Sequence, residues 1–182
     1  NNLNTILTEF LSLGKLEEGK TEPKLQETNL PALIEDVHSE IKGMFRPGQT
    51  FEYHHDGQET VRLDPTLFKH VLFNLFSNAI KYSPSGTTVR VSVSATADHA
   101  LCAVQDEGPG IRPEERPKLF TIGGVLSSKP TAGEPQTGIG LALSHELVRA
   151  MGGTLWCDSE PGGGATFGIR LPMADGTPST GP

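Results

Sequence analysis

The 182-residue sequence lacks an excess of positive charge and lacks long apolar runs. Fifteen Lys and Arg residues stand against 22 Asp and Glu residues, and the net charge of -7 opposes binding to nucleic acid or to an anionic membrane through counterion release. No uncharged apolar run approaches the roughly 20 residues that span a bilayer. The N-terminal residues have neither the basic start nor the apolar centre of a signal peptide. We therefore expect no nucleic-acid partner and no membrane contact by this chain.

Cysteine is scarce, and two common phosphate-binding motifs are absent. Cys102 and Cys157 lack CxxC spacing, which disfavours a disulfide framework or a zinc site and favours a cytoplasmic location. No P-loop motif (GxxxxGKS or GxxxxGKT) occurs. The dinucleotide fingerprint GxGxxG is incomplete, because Ala142-Leu143 follow Gly140 without a third glycine.

The order of the predicted elements, which mixes hairpins with helices, indicates an α/β two-layer sandwich with helices on one face of a sheet. Asn29 with Pro31, and Asp64 with Pro65, are typical helix starts. Asp56-Gly57 predicts the turn of a hairpin between the first two strands. The predicted helices cover residues 3–16, 31–46, 65–82, 113–120 and 138–151, and the predicted strands cover 51–53, 61–63, 89–93, 101–105, 154–158 and 165–171.

One stripe of the 65–82 helix is polar within an otherwise apolar pattern. Asn74, Asn78 and Lys81 follow at i, i+4 and i+7, so they share a face. An amide can hold a hydrated Mg²⁺ or hydrogen-bond to a phosphate, and an ammonium group supplies a point charge for the same anion. The alternative interpretation is a set of partly exposed polar residues at the edge of an apolar face.

Two glycine-bearing segments suggest a ligand site. Residues 106–110 (DEGPG) follow a predicted strand, where a carboxylate can project into a pocket and glycines let the backbone approach a flat ligand. Gly138 and Gly140 open a helix after a long loop, a geometry that presents amide N–H groups to phosphate. Taken singly, the first segment is also consistent with an acidic turn and the second with a simple loop-to-helix turn.

Four segments in order carry a family resemblance: FNLFSNAIKY (73–82), DEGPG (106–110), TGIGLAL (137–143) and GGGATF (162–167). They resemble the N, G1, G2 and G3 boxes of the ATP-binding catalytic domain of sensor histidine kinases. The resemblance covers roughly residues 29–172 and implies a mixed, mainly antiparallel sheet with the helices on one face. The wider GHKL superfamily, which shares the Bergerat fold, includes DNA gyrase, mismatch-repair ATPases, a heat-shock chaperone and serine kinases that act as anti-sigma factors.

The resemblance implies ATP and Mg²⁺ as cofactors and assigns residues to each end of the nucleotide. Asp106 would accept a hydrogen bond from the adenine amino group, Thr166 would help to fix the base through water, and Gly110 would border it. At the other end Asn78 would coordinate Mg²⁺, and Asn74 and Lys81 would reach the phosphates, which makes these three the implied catalytic residues. The remaining implied nucleotide-binding residues are Tyr82 near the ribose, the lid cation Lys129 within residues 121–136, the phosphate-binding Gly138 and Gly140, and Gly108 and Leu141.

The residue type at position 74 differs between the branches of the superfamily. Hydrolytic members and serine kinases have a Glu there, which can serve as general base. The amide of Asn74 cannot accept a proton, so ATP hydrolysis of the gyrase type is disfavoured. Transfer to a histidine remains open, because an imidazole ring nitrogen is its own nucleophile.

The resemblance also implies partners and a domain order. Residues 1–19 resemble the C-terminal part of a dimerisation and phosphoacceptor helix, and residues 29–172 resemble the catalytic domain. Composition predicts a linker over 20–28 and a disordered tail over 173–182. The implied partners are the protein's own phosphoacceptor domain, a second copy in a homodimer and a response regulator receiver domain. A packed terminal helix is the alternative for the first segment.

Two features, the absent acceptor segment and Gly123, keep a second function open. The sequence that resembles the family does not include the helix that carries the acceptor histidine. His145 and His55 lack the sequence context of an acceptor motif. Gly123 stands where the family has a second Phe, which puts the seating of the lid in doubt. The alternative function is a nucleotide-sensing module that binds ATP without transferring phosphate.

Overall fold

The computed structural model of the protein describes residues 22–121, 140–159 and 161–173. The helix predicted over 3–16, most of the predicted lid, and the positions of Lys129 and Gly138 lie outside these ranges. Within them, the strands are β1 (Gln26–Asn29), β2 (Thr50–Gly57), β3 (Thr60–Leu63), β4 (Thr88–Ala95), β5 (His99–Gln105), β6 (Thr154–Ser159) and β7 (Ala165–Pro172). The α-helices are α1 (Leu30–Ile41), α2 (Pro65–Tyr82) and α3 (Gly140–Ala150), with short 3-10 helices at Lys42–Met44 and Pro113–Lys118.

Five strands form one mixed sheet in the order β2-β4-β5-β7-β6, and the helices cover one of its faces. β2 is parallel to β4, whereas the other three neighbouring pairs are antiparallel. β1 and β3 form a separate two-stranded antiparallel sheet. The predicted two-layer α/β sandwich with a mainly antiparallel sheet is therefore confirmed.

The hairpin predicted around Asp56-Gly57 is wrong. β2 continues through that dipeptide and pairs in parallel with β4, with Tyr53 opposite Val91 and Gly57 opposite Ala95. β3 instead pairs with β1. Parallel strands need a long crossover connection, and the 18-residue helix α2 supplies it between β2 and β4. Alternation of apolar residues identifies a strand but not its partner.

The predicted helix starts are confirmed at the level of individual hydrogen bonds. Asn29 Oδ1 accepts the backbone N–H of Ala32 (2.8 Å) at the start of α1. Asp64 Oδ1 accepts the N–H groups of Thr66 (3.0 Å) and Leu67 (3.1 Å) at the start of α2. Such a cap contributes about 1 kcal/mol because it satisfies donors that have no partner within the helix.

The core lies between the helices and the sheet. Its largest fully buried side chains include Phe68 and Phe76 of α2, Leu143 of α3 and Ile169 of β7. Burial of one such side chain stabilises the fold by about 1.5–3 kcal/mol. Cys102 belongs to this core, where burial raises the pKa of its thiol to about 12. None of the helices in the described ranges is long and apolar enough to span a membrane.

Candidate active site

Four chain segments that are distant in sequence meet at one end of the sheet. The residues after β5 contact the start of β7, because Asp106 N–H donates to the carbonyl of Ala165 (2.9 Å). The same segment reaches the end of α2, where Glu107 N–H donates to Ser83 Oγ (3.3 Å). α2 in turn contacts the first turn of α3 through Asn74. The structure therefore brings together the described parts of all four boxes at one junction, which is formed by the end of β5, the start of β7, the C-terminal half of α2 and the first turn of α3.

Asp106 is the buried acid of this junction, with 6% of its surface exposed. Its Oδ1 accepts two backbone N–H groups, from Gly108 (2.9 Å) and from Ala165 (3.1 Å). Within the described residues both hydrogen bonds to the carboxylate involve Oδ1, which leaves Oδ2 as the acceptor for a donor group of a ligand. This arrangement fits the amino group of an adenine.

Burial raises the pKa of the Asp106 carboxyl above its usual value, and the hydrogen bonds from the N–H groups of Gly108 and Ala165 oppose that effect only in part. A buried carboxylate that accepts two amide protons has a fixed orientation, since rotation would break both bonds. The Asp106 carboxylate is therefore a preset acceptor, which means that its orientation is fixed before a ligand binds. Burial nevertheless makes its ionised form unfavourable.

Glycine is required at two positions of the junction. A Cβ atom on Gly108 would lie 2.6 Å from the carbonyl oxygen of Tyr82. Gly164 has a φ of +76°, and a Cβ there would collide with the backbone of Asp106. Both collisions involve backbone atoms, so a side chain at either position would separate the segments that hold the carboxylate.

The turn before β7 is fastened to the 106–111 segment by a buried hydroxyl. Ser159 Oγ accepts the N–H of Ile111 (2.8 Å) and donates to the carbonyl of Gly164 (2.7 Å). Gly162 N–H also donates to the carbonyl of Pro109 (2.7 Å). Gly110, between these contacts, has a φ of +77°, which favours glycine. These hydrogen bonds join the 106–111 segment and the turn before β7 into one continuous surface.

Thr166 is the second residue of β7 and is half-buried. It lies opposite Gln105, the last residue of β5, and follows Ala165, whose N–H binds Asp106. The residue implied to fix the base through water is therefore next to the preset carboxylate.

α2 presents its polar stripe beside α3. Asn74 is buried, with 8% of its surface exposed, whereas Asn78, Lys81 and Tyr82 are half-buried. The end of the helix is held by Gln49, whose Nε2 donates to the carbonyls of Ser83 (3.0 Å) and Ile80 (3.3 Å). The half-buried positions permit contact with a ligand while the helix backbone stays fixed.

The start of α3 contributes Gly140 and Leu141. Gly140 lies next to Asn74, since a Cβ on Gly140 would stand 3.9 Å from Asn74 Cγ. Leu141 is half-buried and packs against the core. The N-terminal N–H groups of a helix attract phosphate, so this end of α3 suits the charged end of a nucleotide.

The donor set of the site suits Mg²⁺. Mg²⁺ prefers oxygen ligands and usually retains several waters and substrate phosphates, so one or two protein oxygens are enough. The half-buried amide of Asn78 offers such an oxygen. The described ranges contain no group of three or more His, Cys, Asp or Glu residues that would suit a softer metal.

Two histidines that resemble acceptor motifs in sequence have packing roles. The His145 ring stacks on Phe120, with centroids 4.9 Å apart and an interplanar angle of 15°. Both ring nitrogens of His55 are engaged, by Tyr53 Oη (2.7 Å) and by the carbonyl of Gln58 (2.8 Å). These contacts give both rings a structural role within the fold.

Sequence reasoning missed the residues that hold the site rather than line it. Four buried polar residues each form a hydrogen bond to another segment of the chain: Gln49, Ser83, Ser144 and Ser159. Serine and glutamine are common on surfaces, so nothing in a single sequence marks Gln49, Ser83 and Ser159 as buried. The only local signal is that Ser144 falls within the apolar pattern of α3.

Gly164 and Gly162 provide a matched test of the junction. Both have a positive φ, +76° and +80°, but a Cβ on Gly162 meets open space. We expect Gly162→Ala to lower the free energy of unfolding by about 1–2 kcal/mol through backbone strain alone. Gly164→Ala should cost at least about 3 kcal/mol, because the collision with Asp106 adds to the strain. Urea denaturation measures both, and equal losses would contradict the close approach at Gly164.

The comparisons with known proteins agree with this geometry. A family model described as histidine kinase-, DNA gyrase B-, and HSP90-like ATPase matches residues 63–175. Adaptive-response sensory kinase SasA from a Synechococcus species is 31% identical over 175 residues, which cover 94% of this chain and 46% of the relative. Sensor protein RstB from Escherichia coli is 33% identical over 172 residues, covering 94% and 39%. The chain thus spans less than half the length of these two curated relatives.

Solved structures show the same fold. The structure of full-length ShkA in complex with AMPPNP superposes with a TM-score of 0.83 at 25% identity, covering 95% of this chain and 36% of that one. The family match covers more than half of the chain and includes every described site residue. The resemblance to sensor histidine kinases is confirmed: the chain belongs to the histidine kinase-, DNA gyrase B-, and HSP90-like ATPase family and has the fold of a histidine kinase catalytic domain.

Proposed function

We propose that this chain binds Mg-ATP and transfers the γ-phosphoryl group to a histidine on a phosphoacceptor helix. The observation that carries the proposal is the junction itself. Asp106 holds a preset acceptor at one end, and the polar stripe of α2 faces the N-terminus of α3 at the other. A base amino group and a polyphosphate are the two ends of a nucleotide that such a site would recognise.

Each end of the site has a separate task. Asp106 Oδ2 would accept the adenine amino N–H, while Thr166 lies beside it for a water-mediated contact. Lys81 and the N-terminal N–H groups of α3 would orient the phosphates. Asn78 would hold Mg²⁺, which supplies charge neutralisation between the phosphates. Lys129 and Gly138 are proposed as further phosphate contacts from the sequence resemblance, since both lie outside the described residues.

The transfer step needs no base from this chain. A neutral histidine ring nitrogen attacks the γ-phosphorus with its own lone pair, the N–P bond forms, and the bond to the bridging oxygen breaks so that ADP leaves. Attack by water would require a proton acceptor. The amide of Asn74 cannot serve as one, so hydrolysis should be slow.

The partners follow from this function. We propose that the acceptor helix belongs to the same protein or to its dimer partner, and that a response regulator receiver domain then accepts the phosphoryl group. The relatives that carry the names sensory kinase and sensor protein support this assignment. Both cysteines of the fold are free thiols, which agrees with the reducing cytoplasm that we propose as its location.

Calorimetric titration with a phosphate-release assay tests the nucleotide part of the proposal. We expect heat of binding when ATP and Mg²⁺ are added, and no steady release of phosphate in the absence of an acceptor. Absence of binding heat together with an unchanged melting temperature would contradict ATP binding. Steady turnover of several phosphates per minute would instead favour a hydrolase.

A further inference from the structure

Ser144 has a fully buried hydroxyl group that contacts Asn74, the first residue of the polar stripe of α2. It lies one turn after Gly140 on α3 and has 0% of its surface exposed. Its Oγ is 3.1 Å from Nδ2 of Asn74, and the same Nδ2 is 3.3 Å from the carbonyl oxygen of Gly140. The Asn74 amide is therefore held by two groups of one helix turn.

The chemistry of these two groups determines which way the Asn74 amide faces. A backbone carbonyl oxygen can only accept a hydrogen bond, so the amide atom next to Gly140 must be the nitrogen. An NH₂ group has two donors, and Gly140 and Ser144 use both. The part of the amide that is left for a ligand is the carbonyl oxygen Oδ1, which is an acceptor.

This orientation limits what Asn74 can bind. Phosphate oxygens are acceptors and would repel Oδ1, whereas the waters around a nucleotide-bound Mg²⁺ are donors. Asn78, the proposed Mg²⁺ ligand, lies one helical turn further along the same face. The favourable partner for Asn74 Oδ1 is therefore a metal-bound water rather than a phosphate oxygen.

We propose that Ser144 is a positioning residue that keeps the Asn74 carbonyl oxygen directed at the water shell of the metal. The inference rests on the proposed function, because it needs a metal-bound nucleotide. Loss of the hydroxyl would leave one Asn74 N–H buried without a partner, and the amide would then gain by turning that donor outward. The site would keep its residues but lose an acceptor.

Ser144→Ala and Ser77→Ala form a matched pair for the test. Ser77 is also a buried hydroxyl, but it donates to the backbone carbonyl of Asn74 (3.1 Å) and does not touch the amide. Two measurements are compared: the hydrogen exchange of the Asn74 side-chain NH₂ by NMR in nucleotide-free protein, and the ATP dissociation constant with and without Mg²⁺. Ser144→Cys, which keeps the volume and a weak acceptor, serves if the alanine variant does not fold.

We expect slow exchange of the Asn74 NH₂ in the wild type and in Ser77→Ala, and faster exchange in Ser144→Ala. The enhancement of ATP affinity by Mg²⁺ should fall about tenfold in Ser144→Ala, as for the loss of one hydrogen bond. Affinity without Mg²⁺ should stay the same. In an Asn74→Ala background, the Ser144 substitution should have no further effect on this enhancement.

The outcomes separate this inference from the proposed function. Equal losses of affinity with and without Mg²⁺ would show that Ser144 only stabilises the fold and would overturn the inference. Fast exchange of the Asn74 NH₂ in the wild type, or a wild-type affinity that Mg²⁺ does not change, would overturn it while leaving ATP binding intact. A wild-type chain that binds no ATP would overturn the proposed function, and the role assigned to Ser144 would fall with it.

Discussion

Replacement of Asp106 by Asn is expected to weaken ATP binding by roughly ten- to a hundredfold, equivalent to about 1–3 kcal/mol. Asn keeps an oxygen at the Oδ1 position for the N–H groups of Gly108 and Ala165. Its nitrogen then takes the place of Oδ2, and two donors, this NH₂ and the adenine amino group, face each other.

The same substitution should change the base preference. Guanine presents an acceptor where adenine presents its amino group, so the NH₂ group of the substituted side chain would match GTP better than ATP. Competition titrations with the two nucleotides measure this change. Glu107→Gln is the control, because it removes one charge from the neighbouring residue, whose carboxylate accepts the N–H of Thr88 on β4. Unchanged ATP affinity in Asp106→Asn would show that Asp106 is only a turn residue.

The raised pKa of Asp106 adds a pH dependence to the stability. The folded state holds the carboxyl proton more tightly than the unfolded chain does. The contribution of this group to stability is therefore full at pH values below its ordinary pKa of 3.8 and is lost as the pH rises through the raised value. Asp106→Asn cannot ionise, so its free energy of unfolding should lack this fall. Urea titrations across the acidic range compare the two proteins.

Asn78→Ala is expected to lower phosphotransfer by at least about a hundredfold, a typical loss for removal of one electrostatic contact to a transferring group. The half-buried amide of Asn78 is the proposed protein ligand of Mg²⁺, and alanine offers no oxygen. ATP affinity in the presence of Mg²⁺ should fall as well, whereas affinity without the metal should change little.

Asn29→Ala is the matched control for that variant. It is the same substitution, but the Asn29 side chain caps α1 through Ala32 N–H. We expect it to lower the free energy of unfolding by about 1 kcal/mol and to leave the transfer rate unchanged. A transfer rate in Asn78→Ala equal to that in Asn29→Ala would contradict the role assigned to Asn78.

Local signals predicted the three α-helices of the described ranges, whereas the pairing of distant strands could not be predicted from them. α2 begins at Pro65 and ends at Tyr82, as predicted, because its cap, its first-turn proline and its apolar face all lie within one stretch of sequence. The pairing of β2 depends on the crossover through α2, and alternation alone suggested the wrong partner.

The site also combines a feature that the local sequence indicated with a contact between distant segments that it did not. The DEGPG segment indicated a carboxylate beside glycines that a flat ligand could approach. The structure places Asp106 beside Gly108, and the close approach that it shows at Gly108 is to the backbone of Tyr82. The bond between Asn74 and Ser144 joins residues that are 70 positions apart, and no local pattern indicates it. The family resemblance implied that Asn74 contacts phosphate, but the direction of its amide depends on the packing of α3 against α2.

The most direct test of the kinase function is transfer from ATP labelled on the γ-phosphate to a supplied phosphoacceptor domain that a related sensor kinase phosphorylates. The wild-type chain, in the presence of Mg²⁺, is predicted to label this domain on histidine, seen as an acid-labile and base-stable phosphate, and Asn78→Ala is predicted to label it far more slowly. A wild-type chain that binds Mg-ATP but leaves the competent acceptor unlabelled would contradict the kinase function and favour a nucleotide-sensing module.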